Sequence, residues 1–244
     1  MIPPIGERYR TLSQHAYDVI LEAILDGRIR SNQRLVLDEL ATQLRVSQTP
    51  VRDALARLAS EGLVEMTGRR GFRVTVVTPE DLANLYDLGL MCELYAMDKG
   101  LARLTTALMA EIERLAEESA RIDGVVHNED RSSFIRVDRE FHSRIVSIGE
   151  NPKLVDLYLR LNMAVQVTRV GSRRITPLEQ RRANAPEHMA IVAALKNRDA
   201  SAAKEAIRAH SEKGLRRGLA RIQEELQPSE PALASSNTAA VLPS

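Results

Sequence analysis

Apolar residues recur at helical spacing through nearly the whole chain, and glycine and proline divide the pattern into segments. Ser13 to Asp26 reads as a first helix, with Ala16, Ile20, Ala23 and Ile24 on one face and Gly27 as its stop. Leu40-Ala41-x-x-Leu44 gives a short amphipathic helix, with a small residue where a second helix must cross closely. Arg45-Val46-Ser47 makes a turn, and Ser47 or Thr49 can cap the next helix, whose first turn tolerates Pro50. In that helix Val51, Ala54, Leu55 and Leu58 face a core and Gly62 marks the stop. Only here does the period change. Leu63 to Met66 and Phe72 to Val76 read as two strands around the turn Gly68-Arg69-Arg70-Gly71.

From residue 78 to about 225 the pattern is helical throughout. Thr78-Pro79-Glu80-Asp81 is a helix start, with Thr at the N-cap, Pro first and Asp third. Helices are expected over about 79–100, 105–122 and 130–148. Asn151-Pro152 starts a fourth, Thr176-Pro177-Leu178-Glu179 a fifth, and Asn197-Arg198-Asp199 turns into a sixth. Pro186 should kink or split the fifth. The fold class expected is mainly α: a winged helix-turn-helix over 8–77, a bundle of about six helices over 78–226, and a disordered tail over 227–244.

The first region points to double-stranded DNA. Gln48, Thr49 and Arg52 lie near the exposed N-terminal end of the third helix, the part that reaches base edges in the major groove. Arg45 and Ser47 precede it, and Arg69 and Arg70 sit in the hairpin turn. A three-helix pack with a hairpin and no ligand is the alternative. Two arginines between two glycines have little packing value, however, and an evident use against phosphates or the minor groove.

Composition narrows the class. A chain of 244 residues with 44% hydrophobic and 27% charged positions is long enough for two globular domains. No apolar run approaches a membrane span, no signal-peptide organisation is seen, and one cysteine, Cys92, forms no internal disulfide, so a cytoplasmic protein is expected. Net charge is +1, but residues 1–77 hold eleven arginines against nine carboxylates, which makes a modest basic patch. DNA binding should therefore depend on geometry and on a homodimer, with electrostatics giving the nonspecific part.

The helical region carries a second chemistry. Asp138 and His142 are four apart on one helix, and His188 and His210 flank the turn near residue 198 at similar distances. In an antiparallel hairpin such residues end side by side, so three helices can deliver three imidazoles and a carboxylate to one point. Ordinary hydrogen-bonded histidines are the alternative. The neighbours Phe141, Ile145, Met189, Ile191, Val192 and Ile207 are expected to be buried and would leave unligated imidazoles poorly satisfied. Such a set suits Zn²⁺, Ni²⁺, Fe²⁺ or Mn²⁺, with a position left for water or a small carboxylate.

These residues resemble a known family. Val46-Ser47-Gln48-Thr49-Pro50-Val51-Arg52-Asp53-Ala54-Leu55, followed by Glu61-Gly62-Leu63-Val64, is similar to the recognition region of GntR winged-helix regulators. Asp138-Arg139-Glu140-Phe141-His142, Asn151-Pro152, Glu187-His188 and His210 resemble the FCD effector domain of the FadR branch, where such residues ligate a metal beneath the effector pocket. Six helices suggest its VanR-like subgroup. The resemblance implies a ligand-responsive transcription factor, most simply a repressor. A metal sensor and a metalloenzyme fused to a DNA-binding domain are the competing readings. Two departures stand out: Gln48 replaces the usual arginine, favouring adenine over guanine, and Gly89 stands where an arginine usually precedes Glu93 by four residues.

Overall fold

The computed structural model describes residues 12–68, 71–121, 129–170 and 177–226. Arg69, Arg70, Thr176 and the tail from residue 227 lie outside the described residues. The chain divides into two compact units between Val76 and Val77.

In the first unit, helix α1 (Leu12–Leu25) precedes strand β1 (Arg34–Val36), helices α2 (Leu37–Leu44) and α3 (Gln48–Ser60), and strands β2 (Val64–Thr67) and β3 (Gly71–Val74). β3 is the central strand, antiparallel to both neighbours, in the order β1-β3-β2. Ala16, Ile20, Ala23 and Ile24 of α1 are buried with Val51, Ala54, Leu55 and Leu58 of α3, as their spacing predicts. Each of the larger side chains adds about 1.5–3 kcal/mol by leaving water. Gly62 ends α3 with φ +78°, a left-handed conformation in which a Cβ is strained. β2 begins and ends one residue later than expected, β3 begins one residue earlier and ends at Val74 rather than Val76, and β1 is an addition. Its three residues alternate exposed, buried and half-buried, too short a run to stand out from a loop.

The second unit consists of α4 (Pro79–Gly100), a 3₁₀ turn (Leu101–Arg103), α5 (Thr106–Ala120), α6 (Glu129–Ser147), α7 (Pro152–Val170), α8 (Pro177–Lys196) and α9 (Ala200–Leu226). The start of α4 is a complete capping box. Thr78 Oγ1 accepts from the Asp81 amide at 3.1 Å, and the Thr78 amide donates to the Asp81 carboxylate at 3.1 Å. α8 continues through Pro186 and is not split. Pro186 and Arg182, one turn earlier, are both exposed, so the carbonyl that loses its amide partner lies on the solvent side.

The main core gathers Met97, Ile112, Leu115, Phe141, Ile145, Ile191, Leu195 and Ile207 from α4, α5, α6, α8 and α9. Met189, expected among the buried neighbours, is exposed at 39%. It follows His188 directly, and adjacent positions on a helix point about 100° apart. At the end of α4, a Cβ on Gly100 would stand 1.5 Å from the Ile148 carbonyl oxygen, so α4 and the end of α6 approach at a distance only glycine allows. Arg198, at the turn between α8 and α9, donates to the carbonyls of Leu101 at 3.1 Å and Leu104 at 2.6 Å. Among the described residues no helix is long and apolar enough to cross a membrane.

Candidate functional site

The first unit presents its polar residues where a recognition helix needs them. Ser47, Gln48, Thr49 and Arg52 are all exposed around the N-terminal end of α3, whose other face carries the buried Val51, Ala54 and Leu55. Arg45, also exposed, closes α2 in a left-handed conformation with φ 54°. Ser47 occupies the N-cap position in an extended conformation, but its hydroxyl makes no capping hydrogen bond. The cap that its residue type suggested is therefore absent, and the hydroxyl remains at the surface. Gln48 donates from Nε2 to the Asp38 carboxylate of α2, a contact that spacing alone did not reveal.

In the second unit Asp138, His142, His188 and His210 come together and are all buried. Nε2 of His142 and Nε2 of His210 are 3.2 Å apart, and Nε2 of His188 is 3.6 Å from Asp138 Oδ1. Ligand atoms of the three histidines lie within 4.8 Å of one another. Phe141 stacks on His188 with ring centroids 4.3 Å apart and meets His142 edge-on at 5.1 Å, which fixes both rings.

What holds the outer ring nitrogens defines the chemistry. His142 Nδ1 is 2.6 Å from Glu93 Oε1, and His210 Nδ1 is 2.7 Å from Glu187 Oε2. His188 Nδ1 is 3.1 Å from Ser119 Oγ. That hydroxyl already donates its proton to the Ala116 carbonyl at 2.8 Å, so it accepts from His188. Each imidazole therefore has an oxygen acceptor at Nδ1, which selects the tautomer with a lone pair on Nε2. When Glu93 and Glu187 accept in this way, two Nε2 lone pairs face each other across 3.2 Å. Only a cation between them, proton or metal, relieves that arrangement.

Two carboxylates of this surround are themselves held. Burial would raise the Glu187 carboxyl, but hydrogen bonds from His210 and Arg217 outweigh it and bring the pKa down to about 2. Arg217 grips Glu187 with two bonds of 2.9 Å and reaches Asn184 Oδ1 at 3.1 Å. Asn184 in turn donates to Asp138 Oδ1 at 3.1 Å, closing a path from one candidate ligand to another. Burial pushes the His210 imidazole below its usual value, against the opposing pull of Glu187. A neutral ring with an available lone pair is the form a metal ion takes.

Ser119, Asn184 and Arg217 were not singled out from the sequence, and Glu93 and Glu187 were named only in the family resemblance, without a role toward the histidines. For three of them a signal existed. Asn184 lies four residues before His188, Glu187 immediately precedes it, and Arg217 follows His210 by seven, two turns along the same face.

A cleft enclosing about 450 Å³, part of it open to solvent, adjoins this cluster. Leu85, Leu90, Leu161 and Val165 form its apolar wall, while Glu93, Asn162, Ser211, His142 and His210 supply polar groups. Gly89 lines it too, with Tyr158 beneath: a Cβ there would meet the Tyr158 ring at 3.6 Å.

Comparison with known proteins agrees with both units. Residues 12–74 match the family described as bacterial regulatory proteins, gntR family, and residues 84–213 match the FCD domain. The chain is 25% identical over 199 residues to the uncharacterized HTH-type transcriptional regulator YdhC of Bacillus subtilis (strain 168), covering 80% of this chain and 85% of that one. It is 29% identical over 200 residues, covering 82% and 85%, to a probable D-xylose utilization operon transcriptional repressor of Paenarthrobacter nicotinovorans. In fold it is similar to the crystal structure of a putative GntR transcriptional regulator from Rhodococcus sp. RHA1, with a TM-score of 0.71 and 22% identity over 86% of this chain and 99% of that one. These relatives are regulators, which sets aside the metalloenzyme reading. The chain is a DNA-binding transcriptional regulator that belongs to the gntR family of bacterial regulatory proteins, in the group whose second domain is an FCD domain.

Proposed function

We propose that this regulator is a cytoplasmic homodimeric repressor whose hold on its operator is modulated by a small carboxylate bound at a metal site in the second unit. The reading is carried by the facing Nε2 atoms of His142 and His210, 3.2 Å apart, each on a ring anchored at Nδ1. Two nitrogens each about 2.1 Å from one ion stand roughly 3.0–3.4 Å apart, so this pair already has the spacing of a coordination edge. Asp138, His142, His188 and His210 are the ligands in this reading, and the ion is Zn²⁺, Ni²⁺, Fe²⁺ or Mn²⁺. Bound there, it supplies a positive centre for an anionic group. The cleft beside His142 and His210 offers an apolar wall for the remainder of such a molecule.

On DNA, Arg52 and Gln48 contact bases and Arg45, Ser47 and Thr49 contact phosphates or base edges. Arg69 and Arg70 act from the wing. Repressor polarity is supported by the Paenarthrobacter relative, a probable operon repressor. A dimer is supported by a stripe of exposed apolar side chains on α4, namely Leu88, Met91 and Tyr95; Leu157 of α7, a helix that packs on α4, is exposed as well. Such a stripe suits a second copy, and two copies suit the two halves of a pseudo-palindromic operator. For the carboxylate to regulate, it must bind the operator-competent and incompetent arrangements with different affinity, and the coupling is reciprocal.

Elemental analysis of the purified protein and of a variant carrying His142→Ala and His210→Ala tests the site. Loss of bound metal and of the operator response to small carboxylates is expected. Full occupancy in the double variant would refute it. Operator binding that follows metal concentration without any organic ligand would favour the metal-sensor reading instead.

A further inference from the structure

The cleft beside the histidine cluster is walled by the margins of three apolar clusters. Leu85, Tyr86 and Val165 belong to the group around Leu82 and Ile222. Tyr158 and Leu161 belong to the group around Cys92 and Val146, and Leu90 packs against the main core. None of the lining residues is exposed, and Glu93, His142, Tyr158, Asn162, Val165 and His210 are buried. The charges are one-sided. Among the described residues that line the cleft there is no lysine or arginine, and the one acidic residue is Glu93, which holds His142. A counter-charge for an anion is therefore confined to the end where His142 and His210 face each other.

This distribution separates acids by what lies beyond their first carboxylate. The first has its counter-charge at the histidine end. A second, carried into the cleft, leaves water for apolar walls and Glu93 with no cation to meet it. The neutral polar groups do not replace that cation. Asn162 Nδ2 donates to the Tyr158 hydroxyl at 3.4 Å, and that hydroxyl donates to Glu93 Oε1 at 3.5 Å, a chain that ends on a carboxylate. An uncharged body, by contrast, gains by covering the three apolar margins. We propose, resting on the carboxylate-and-metal reading above, that the effector is a monocarboxylate with an uncharged, largely apolar body, and that the cleft discriminates against dicarboxylates. Gly89 is the place in the wall where a cation could enter. Its Cβ position stands 3.6 Å from the Tyr158 ring, an ordinary contact, so a side chain fits there without a shift of the backbone.

The test is calorimetric titration of the full-length, Zn²⁺-loaded protein with two matched pairs, hexanoate against adipate and benzoate against isophthalate, and with hexanamide. Hexanoate and benzoate are expected to bind about tenfold or more tightly than their diacids, and hexanamide to bind more weakly than hexanoate by a similar factor. Gly89→Arg is expected to raise the affinity for adipate relative to hexanoate by about tenfold over Gly89→Met, which matches its bulk without its charge. Melting curves check that both variants are folded, and the wild-type pairs decide the question without them. A diacid that binds the wild type as tightly as its monoacid overturns the proposal while leaving the carboxylate site standing. Equal adipate-to-hexanoate ratios in Gly89→Arg and Gly89→Met overturn it as well. Binding of none of the acids, or hexanamide binding as tightly as hexanoate, overturns the carboxylate reading itself, and the discrimination falls with it.

Discussion

Glu187→Gln isolates what the surround of the histidine cluster does without touching a candidate ligand. Glu187 accepts from His210 at 2.7 Å and from Arg217 twice at 2.9 Å, all as an anion. Glutamine keeps the shape but has one acceptor oxygen. If Oε1 turns to Arg217, the amide Nε2 meets His210 Nδ1, and two donors cannot share that contact. His210 must then accept at Nδ1 and carry its proton on Nε2, the nitrogen that faces His142. The metal position is blocked by that proton until the ring or the amide reorganises. Loss of such an outer partner costs 10- to 100-fold in metal affinity, about 1.4–2.8 kcal/mol. The upper end is expected, because Arg217 also loosens from Asn184, which holds Asp138. Metal-free stability should fall less, by about 1–2 kcal/mol, because the Arg217 side chain is still 24% exposed and is not a fully buried charge. Chelator competition with a Co²⁺-loaded protein reads the affinity, and denaturant melts of the metal-free form read the stability. Wild-type metal affinity with lowered stability would refute the reasoning and leave Glu187 as a structural ion pair.

Three further outcomes follow from the same geometry. Arg52→Ala should abolish specific operator protection in footprinting while the melting curve is unchanged, since Arg52 is exposed. Gly100→Ala should destabilise the second unit by about 3 kcal/mol or more, seen as a lower denaturant midpoint, because the new methyl overlaps the Ile148 carbonyl. A midpoint within experimental error of wild type would contradict that close approach. Met91→Glu places a charge in the exposed stripe of α4 and should convert the proposed dimer to a monomer in sedimentation equilibrium, with helix content retained.

Much of this molecule was legible because helices write their buried face every three to four residues. The core positions of α1 and α3 follow from that rule, as does the meeting of Asp138, His142, His188 and His210, and the capping box at Thr78 follows from the Thr-x-x-Asp pattern at the start of α4. What failed to show was either short or distributed. β1 is three residues long and acquires its identity from pairing with β3, some 37 residues away. The surround of the histidines draws Glu93 from α4 and Ser119 from α5, and no local period links either to a histidine. A glutamate in a mixed helix reads as a solvated residue until the histidine opposite is known. The pairing of Asp38 with Gln48 was hidden for the same reason: it depends on the angle between α2 and α3, which the turn at Arg45 sets through its left-handed backbone.

The clamp made by Arg198 has a consequence for how this regulator can change over time. The α8–α9 turn is tied to the carbonyls of Leu101 and Leu104, and that tie sets how far each helix has advanced when it reaches His188 and His210. Ten residues separate His188 from Arg198, about 15 Å of helix. One residue inserted between them would carry His188 about 1.5 Å along the axis and swing it by about 100°. The hairpin therefore works as a ruler whose zero mark lies at its closed end. Ligand tuning by substitution can proceed in the cleft walls, but length variation in this hairpin is tolerable only on the far side of Arg198's anchor or beyond the histidines.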